Sequence, residues 1–452
     1  MNKLTSLVDE TFEQQVESLK ELIAVPSVSR GEPQPGMPLG KGVHDALTQT
    51  LELAKKLGFP QARSLDGYCG VVDYGEGDEM LMLMAHLDVV PAGPAWDSDP
   101  FCAEIREGRI YGRGVVDDKG AAISMLYALQ AVKDAGIPLK RRVRLFFGCD
   151  EEKDWACIER YKKTEPEPDL AFTPDADYPL VNSEKSILQV CYERAMQNSG
   201  VRVNCGIAAN VVPGEAEATL DHPAKPVRSS RLVVPQIEGN TIRVFGHGGH
   251  ASRPDLAQNA MLYLLETLAQ QELSPEDTAV ATGLAALLGH DQHGEGFGID
   301  CEDASGRLTL SPDKLSWDEN NVRLTMDCRY PFCTNAAALE EKFDAALGAL
   351  GFTRVYTKDS KGHYIPADSE LVQTLLKIYE RNVGHAAKPL SIGGGTYARS
   401  FQNAVGFGIE PEGEISQCHM PNESLSLDAL RFNTRVIAEA IAELAGQQSN
   451  NE

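Results

Sequence analysis

The ten cysteines include no Cys-x-x-Cys pair and lie scattered between positions 69 and 418. In a chain of 452 residues that spacing argues against a disulfide framework and for reduced thiols. Basic residues are in short supply, with 42 Lys and Arg against 66 Asp and Glu and a net charge of −24. A nucleic-acid or anionic-membrane partner would favour a basic face, so neither is expected. No run approaches the roughly 18 apolar residues of a membrane helix. The opening Met-Asn-Lys-Leu-Thr-Ser-Leu lacks a basic-then-apolar signal pattern, and no internal repeat is found. A cytoplasmic location is the expectation. What remains is ordinary for a globular protein, 42% hydrophobic and 24% charged, with length for two or three domains. The acidic surplus also suits a protein that holds metal cations.

Acid is concentrated where it is awkward. Asp150-Glu151-Glu152 follow Arg142-Val-Arg-Leu-Phe-Phe-Gly-Cys149, whose apolar core predicts a buried strand. Adjacent carboxylates at a strand end repel, and burial raises at least one pKa unless a cation is near. A divalent metal resolves the conflict, because one carboxylate can ligate it while its neighbour moves protons to and from water. Taken alone, the triplet would read as a solvated acidic turn. Its company says otherwise. Residues 80–85 are apolar on both faces, as in a strand covered by helices on either side, and they deliver His86-Leu87-Asp88. A histidine there is often structural, but Asp88 is placed to hydrogen-bond the second imidazole nitrogen and fix its tautomer, as metal histidines require. Gly112-Arg-Gly-Val-Val-Asp117-Asp118-Lys119-Gly120 precedes a helical run to residue 133. Helix capping explains one of its aspartates, not both. A short strand over 169–174 ends at Asp175. These motifs gather just beyond the C-terminal ends of predicted strands, the edge where open α/β sheets bind ligands.

Helices are predicted over 9–25, 43–57 and 154–163, and a strand over 68–74. From about 185 the texture changes. Strands over 186–193, 240–246, 306–316, 320–330 and 352–358, with helices over 257–270 and 335–349, imply a small β-α-β-β-α-β antiparallel sheet. It carries Gly246-His-Gly-Gly-His250-Ala-Ser. A phosphate loop is the competing reading there, but no Lys-Ser/Thr follows the glycines. From about 363 the α/β pattern returns: a helix over 369–383, a glycine loop from Ser391 to Arg399, a strand over 404–408, Cys418-His419-Met-Pro-Asn-Glu423, and an amphipathic helix over 426–445. Gln447 to Glu452 are expected to be disordered. The fold class is therefore α/β, a mostly parallel sheet flanked by helices in two parts, 1–184 and 363–452, with an α+β ferredoxin-like insertion at 185–362.

With those residues in view, nearly the whole chain resembles the aminoacylase/carboxypeptidase-like family of co-catalytic zinc exopeptidases. Within that family it is most similar to the PepV-type bacterial dipeptidases, which include Xaa-His dipeptidases. The motifs that carry the resemblance are His86 to Pro91, Trp96 to Phe101, Gly112 to Gly120, the Asp-Glu-Glu turn, Thr173 to Asp177, Gly-x-x-x-His250-Ala-Ser, Gly394 to Arg399 and His419-x-Pro-Asn-Glu423. The resemblance implies a zinc-exopeptidase-like catalytic domain and an inserted lid. It makes His86 and Asp175 ligands of one divalent ion, Glu152 and His419 ligands of another, and Asp117 the bridge. Asp88 would orient His86, and Glu151 would be the general base. His250 would steady the oxyanion, while Asn210, Arg329, Gly394, Gly395 and Thr396 would hold the substrate carboxylate. For Arg329 a strand-end salt bridge is the equal alternative. The Asp117–Asp118 peptide is expected to be cis. Imidazole and carboxylate donors suit zinc, with manganese or cobalt as substitutes, and they leave Cys418 unneeded as a ligand. Two stretches depart from the pattern: Gly-His-Gly-Gly-His in place of Gly-Lys-Ser-Ala-His, and Lys-Asp-Trp155 where Thr-Gly is usual after the glutamates.

The expected reaction is metal-assisted hydrolysis of dipeptides or other small peptides with a free C-terminal carboxylate. The rivals are an N-acyl-amino-acid deacylase or desuccinylase using the same two ions, and a non-catalytic binding protein of the same fold. The assembly is expected to be a monomer or a homodimer, and the lid to close on the catalytic domain.

Overall fold

The structure is a computed structural model that describes residues 3–227, 233–414 and 416–447. Most of the tail expected to be disordered, 448–452, lies outside those residues. The chain divides into two compact units. The first comprises Met1–Ser183, Tyr364–Leu390 and Gly395–Glu452, and the second Glu184–His363 and Ser391–Gly394.

In the first unit the strand Met80–His86 lies between Arg142–Gly148 and Leu170–Thr173, parallel to both, and Ala404–Gly406 runs parallel to Leu170–Thr173. Cys69–Tyr74 and Arg63–Leu65 continue the sheet antiparallel beyond Arg142–Gly148. The doubly apolar run of 80–85 is explained by the two cores it serves. Leu81, Leu83 and Ala85 face a core built with the helices Lys3–Ile23, Lys41–Lys56, Lys119–Ala135, Glu370–Val383 and Leu427–Ala445. Met82 and Met84 face a second core with Cys157, Ile158, Tyr161, Tyr397 and Phe401. Alternation along a strand makes this division. Two of these helices begin on capping serines: Ser426 and Ser369 accept hydrogen bonds from the first-turn amides of Ala429 and Val372.

The same strand set contains a buried ion network. Arg144, 3% exposed, donates Nε and Nη2 to Asp73 at 2.7 and 2.8 Å and Nη1 to Glu165 at 2.7 Å. Arg63 holds Glu165 from the other side, and with Arg144 it keeps that carboxyl below the usual carboxylate range. Replacing Arg144 by Met should cost about 3–5 kcal/mol, because Asp73 then loses its compensating cation and Glu165 keeps only Arg63. Glu165 has a depressed folded pKa, so its share of stability is present at neutral pH and lost as pH falls through that value. Urea unfolding at pH 7 and in mild acid should therefore show the deficit of the variant shrinking in acid.

In the second unit Thr309–Trp317, Asn321–Tyr330, Ser186–Ala195 and Thr353–Ser360 are neighbours in that order, all antiparallel. This is the strand order of the expected β-α-β-β-α-β unit, with Ala260–Leu268 and Ala336–Ala349 as its helices. The sheet is larger than the sequence reading had it. Val201–Cys205, Glu215–Leu220 and Gln236–Glu238 extend it together with Thr241–Phe245, and a further helix, Pro275–Leu288, was not anticipated. Val201–Cys205 alternates buried and exposed residues, but over only five positions with Arg and Asn between the apolar ones. Pro275–Leu288 buries a narrow stripe of Val280, Ala281, Leu284 and Leu288, and its Ala- and Gly-rich remainder gives little periodicity.

Candidate metal centre

His86 ends its strand at 1% exposure, its backbone N–H donated to Asp118 Oδ2 at 3.0 Å. The imidazole Nδ1 stands 2.8 Å from the Asp88 carbonyl oxygen. A proton donated there leaves the lone pair on Nε2. Nε2 is 2.7 Å from Asp117 Oδ1 and 3.8 Å from Asp175 Oδ2. His419, in the left-handed region at φ 65°, brings its Nε2 to 3.0 Å from Asp117 Oδ2 and 3.2 Å from Glu152 Oε1. Asp117 thus offers one carboxylate oxygen to each histidine, the disposition a bridging ligand requires. Two sets of donor atoms lie within 4.8 Å of one another: His86, Asp117 and Glu152; and His86, Asp118 and Asp175.

The electrostatics favour a cation. Burial, then the neighbouring acids, pushes Asp175 up to about 7. Burial likewise raises Glu151 well above its ordinary range and moves Glu152 upward. Asp118 is raised by burial and by Asp175. Burial opposes charge on His419, but hydrogen bonds to Asp117 and Glu152 prevail and push it up to about 11. Five carboxyl groups crowd two imidazoles with too little positive charge, and divalent ions fit among them.

The supporting contacts differ in part from expectation. Asp88 fixes the imidazole through its carbonyl, while its carboxylate, at 3.6 Å from Nδ1, turns to the Glu151–Glu152 turn. There it accepts the Glu151 and Glu152 backbone N–H groups at 3.1 and 3.2 Å. The Glu151 carboxylate has no hydrogen-bond partner among the described residues. Asp118 precedes the helix Lys119–Ala135 without capping it through its side chain, and its buried Oδ1 has no partner. The second aspartate of the pair, which capping could not explain, was the signal for it. Glu423 is the residue that motif reading passed over. Fully buried, it accepts from Arg113 at 2.6 Å and from the N–H groups of Gly114, Val116 and Asp117 at 3.0, 2.8 and 3.1 Å. It thereby fixes the loop that carries Asp117. A Cβ on Gly120 would stand 2.1 Å from the Val115 carbonyl oxygen, so that loop meets its helix only through glycine. Lys119, pushed down to about 7 by burial, donates to the Leu22 and Val25 carbonyls. The Asp117–Asp118 peptide is cis. Cys418 donates to Glu410 at 3.1 Å and belongs to neither donor set.

The remaining candidates are placed separately. His250 lies in the second unit on the short strand Gly249–His250, paired with Val211–Val212, its Nδ1 2.7 Å from Ser252 Oγ. The Asn210 carbonyl accepts the Ala251 N–H at 2.9 Å. Arg329 has the strand-end ion pair: Nε and Nη2 on Asp327 at 2.5 and 3.1 Å, with Nη1 on the Gly393 carbonyl at 2.7 Å. Gly394 falls in the second unit, and Gly395 and Thr396 in the first. Thr396 Oγ1 accepts from Ala398 N–H at 3.1 Å, capping the turn Tyr397–Ser400.

Residues 82–443 match peptidase family M20/M25/M40. The chain is 39% identical over 432 residues to the putative dipeptidase YtjP of Bacillus subtilis, covering 91% of this chain and 92% of that one. It is 36% identical over 453 residues to the Beta-Ala-Xaa dipeptidase of Lactobacillus delbrueckii subsp. lactis, covering 95% of each. Human carnosine dipeptidase 1 is a likeness of fold, with a TM-score of 0.62 at 14% identity over 98% of both chains. The class is that of metal-dependent hydrolases acting on peptide bonds. The chain belongs to peptidase family M20/M25/M40, which depends on a dinuclear metal site. Among the described residues no helix is long and apolar enough to cross a membrane.

Proposed function

We propose that the protein is a cytoplasmic dimetal dipeptidase, resembling PepV-type enzymes, that hydrolyses dipeptides with a free C-terminal carboxylate. The observation that carries the reading is Asp117, whose two oxygens face His86 and His419 separately. By this reading His86, Asp175 and Asp117 would hold one ion, and His419, Glu152 and Asp117 the other. Zinc suits these nitrogen and oxygen donors, with manganese or cobalt as substitutes. When bound, such ions polarise the scissile carbonyl and acidify water. Glu151 then takes the proton of the attacking water on its unengaged carboxylate and delivers it to the leaving amine. Asp88 orients His86 through its carbonyl, Glu423 fixes the Asp117 loop, and neither of these acids moves a proton. In the second unit the reading assigns His250 to the oxyanion, and Asn210, Arg329 and Gly394 to the substrate carboxylate together with Gly395 and Thr396 of the first.

The relatives named as dipeptidases support peptides over acylated amino acids, and the Lactobacillus protein directs attention to β-alanyl substrates. Rates on alanyl and β-alanyl dipeptides should exceed those on N-acetyl and N-succinyl amino acids, compared with zinc, manganese and cobalt in turn. A chelator should abolish turnover and added metal restore it. Turnover of the acylated compounds alone would overturn the proposal.

A further inference from the structure

The segment Ser27–Arg30 belongs to none of the motifs that carry the site, and it precedes residues 82–443, which the family matches. It nevertheless joins two loops that bear the candidate ligands. Ser29 N–H donates to the Val89 carbonyl, and Val89 N–H to the Ser27 carbonyl, each at 2.9 Å. The Ser27 hydroxyl donates to the Leu87 carbonyl at 2.6 Å, and the Ser29 hydroxyl to Asp88 Oδ2 at 2.6 Å. Asp88 is the carboxylate that receives the Glu151 and Glu152 N–H groups. Arg30, at φ 54°, turns to the other loop. Its Nε and Nη2 each lie 3.0 Å from an oxygen of Asp150, and its Nη1 lies 2.7 Å from Asp154. Asp150 is fully buried. It closes the Glu151–Glu152 turn, accepting Ala156 N–H on Oδ2 at 3.0 Å and Trp155 N–H on its carbonyl at 2.9 Å.

We propose that Ser29 and Arg30 are positioning residues of the metal centre, a role that rests on the dimetal reading above. Ser29 holds the Asp88 carboxylate under the two glutamate amides. Arg30 supplies the countercharge for buried Asp150 and, through its planar fork, sets the direction from which that acid braces the turn. Glu151 and Glu152 then point at the site because the chain beneath them has two fixed anchors. Partners of this kind behind metal ligands are worth about 10–100-fold in affinity or activity.

The test is calorimetric titration of metal-free protein with zinc, for the wild type and for S29A, R30K and R30A, alongside kcat, KM and thermal midpoints. The wild type is expected to bind two ions. R30A should bind the ion served by Glu152 about 10–100-fold more weakly and lose kcat by a similar factor, with KM unchanged. R30K, which keeps the charge without the fork, should fall between. S29A should shift affinity in the same direction by less. Guanidinium at sub-denaturing concentration should restore part of the R30A rate, since the Arg30 side chain is 42% exposed and its place on Asp150 is reachable. A wild type that binds no zinc defeats the dimetal reading itself. A wild type that binds two ions, with variants equal to it in affinity and kcat, overturns the positioning role, as does a lowered melting point with unchanged affinity. Should R30A fail to fold, S29A and R30K decide by the same criteria.

Discussion

Glu151→Gln should lower kcat by about 10²–10⁴-fold and leave the metal content of the purified protein unchanged. The change is nearly isosteric and removes only the ability to take up a proton. The Glu151 backbone N–H still reaches Asp88 at 3.1 Å, so the loop keeps its anchor. Neither donor set includes the Glu151 carboxylate, and the pairs that do form, His419 with Glu152 and Asp117, do not involve it. Measuring kcat on a dipeptide with metal content by emission spectrometry separates the two neighbouring acids. Glu152→Gln should do the reverse, losing an ion along with activity. If Glu151→Gln released metal, or kept near-normal rates, the division of labour between the two glutamates would be wrong.

What could be read in advance from the sequence is what local periodicity and short motifs encode. The run 80–85 announced a strand covered on both faces because Leu81, Leu83 and Ala85 and their neighbours Met82 and Met84 must all find apolar partners. The motif residues announced donors because imidazole and carboxylate groups at strand ends have few other uses. The supports behind those donors could not be read. Ser29 and Asp88 are 59 residues apart, Arg30 and Asp150 are 120 apart, and Glu423 meets Asp117 across 306. No pattern of period 2 or 3.6 reports a hydrogen bond over such separations. Asp88 shows the limit within a single residue. Its place two positions after His86 predicted a contact with the imidazole, which exists, but through the carbonyl, because the carboxylate is claimed by amides brought from another strand. In the second unit the missed strands are short and part-polar for a related reason. Glu215–Leu220 buries one face only, and its identity depends on pairing with Val201–Cys205 and Thr241–Phe245, which are distant in sequence.

Asp117→Ala should be the most damaging single change in the molecule for metal binding, weakening both ions at once, whereas His419→Ala or Glu152→Ala should spare the ion at His86. The difference follows from geometry. His419 Nε2 meets Glu152 Oε1 at 3.2 Å on the Oδ2 side of Asp117, but Asp117 itself stands 2.7 Å from His86 Nε2 and 3.0 Å from His419 Nε2. On the proposed dimetal reading, removing it would take a ligand from each ion and the carboxylate shared between them. Each loss should exceed the roughly 10–100-fold that mere second-layer partners contribute. Turnover should fall below detection, since the carbonyl is then no longer polarised while Glu151 works. The loop should survive the change, because Glu423 holds it through the Asp117 backbone N–H and the amides of Gly114 and Val116, none of which the substitution removes. Calorimetry with zinc distinguishes the outcomes: two weakened sites for Asp117→Ala, and one lost and one retained for His419→Ala. Were Asp117→Ala to keep one ion at wild-type affinity, Asp117 would be a ligand of the other alone, and the shared site would have to be redrawn as two independent ones.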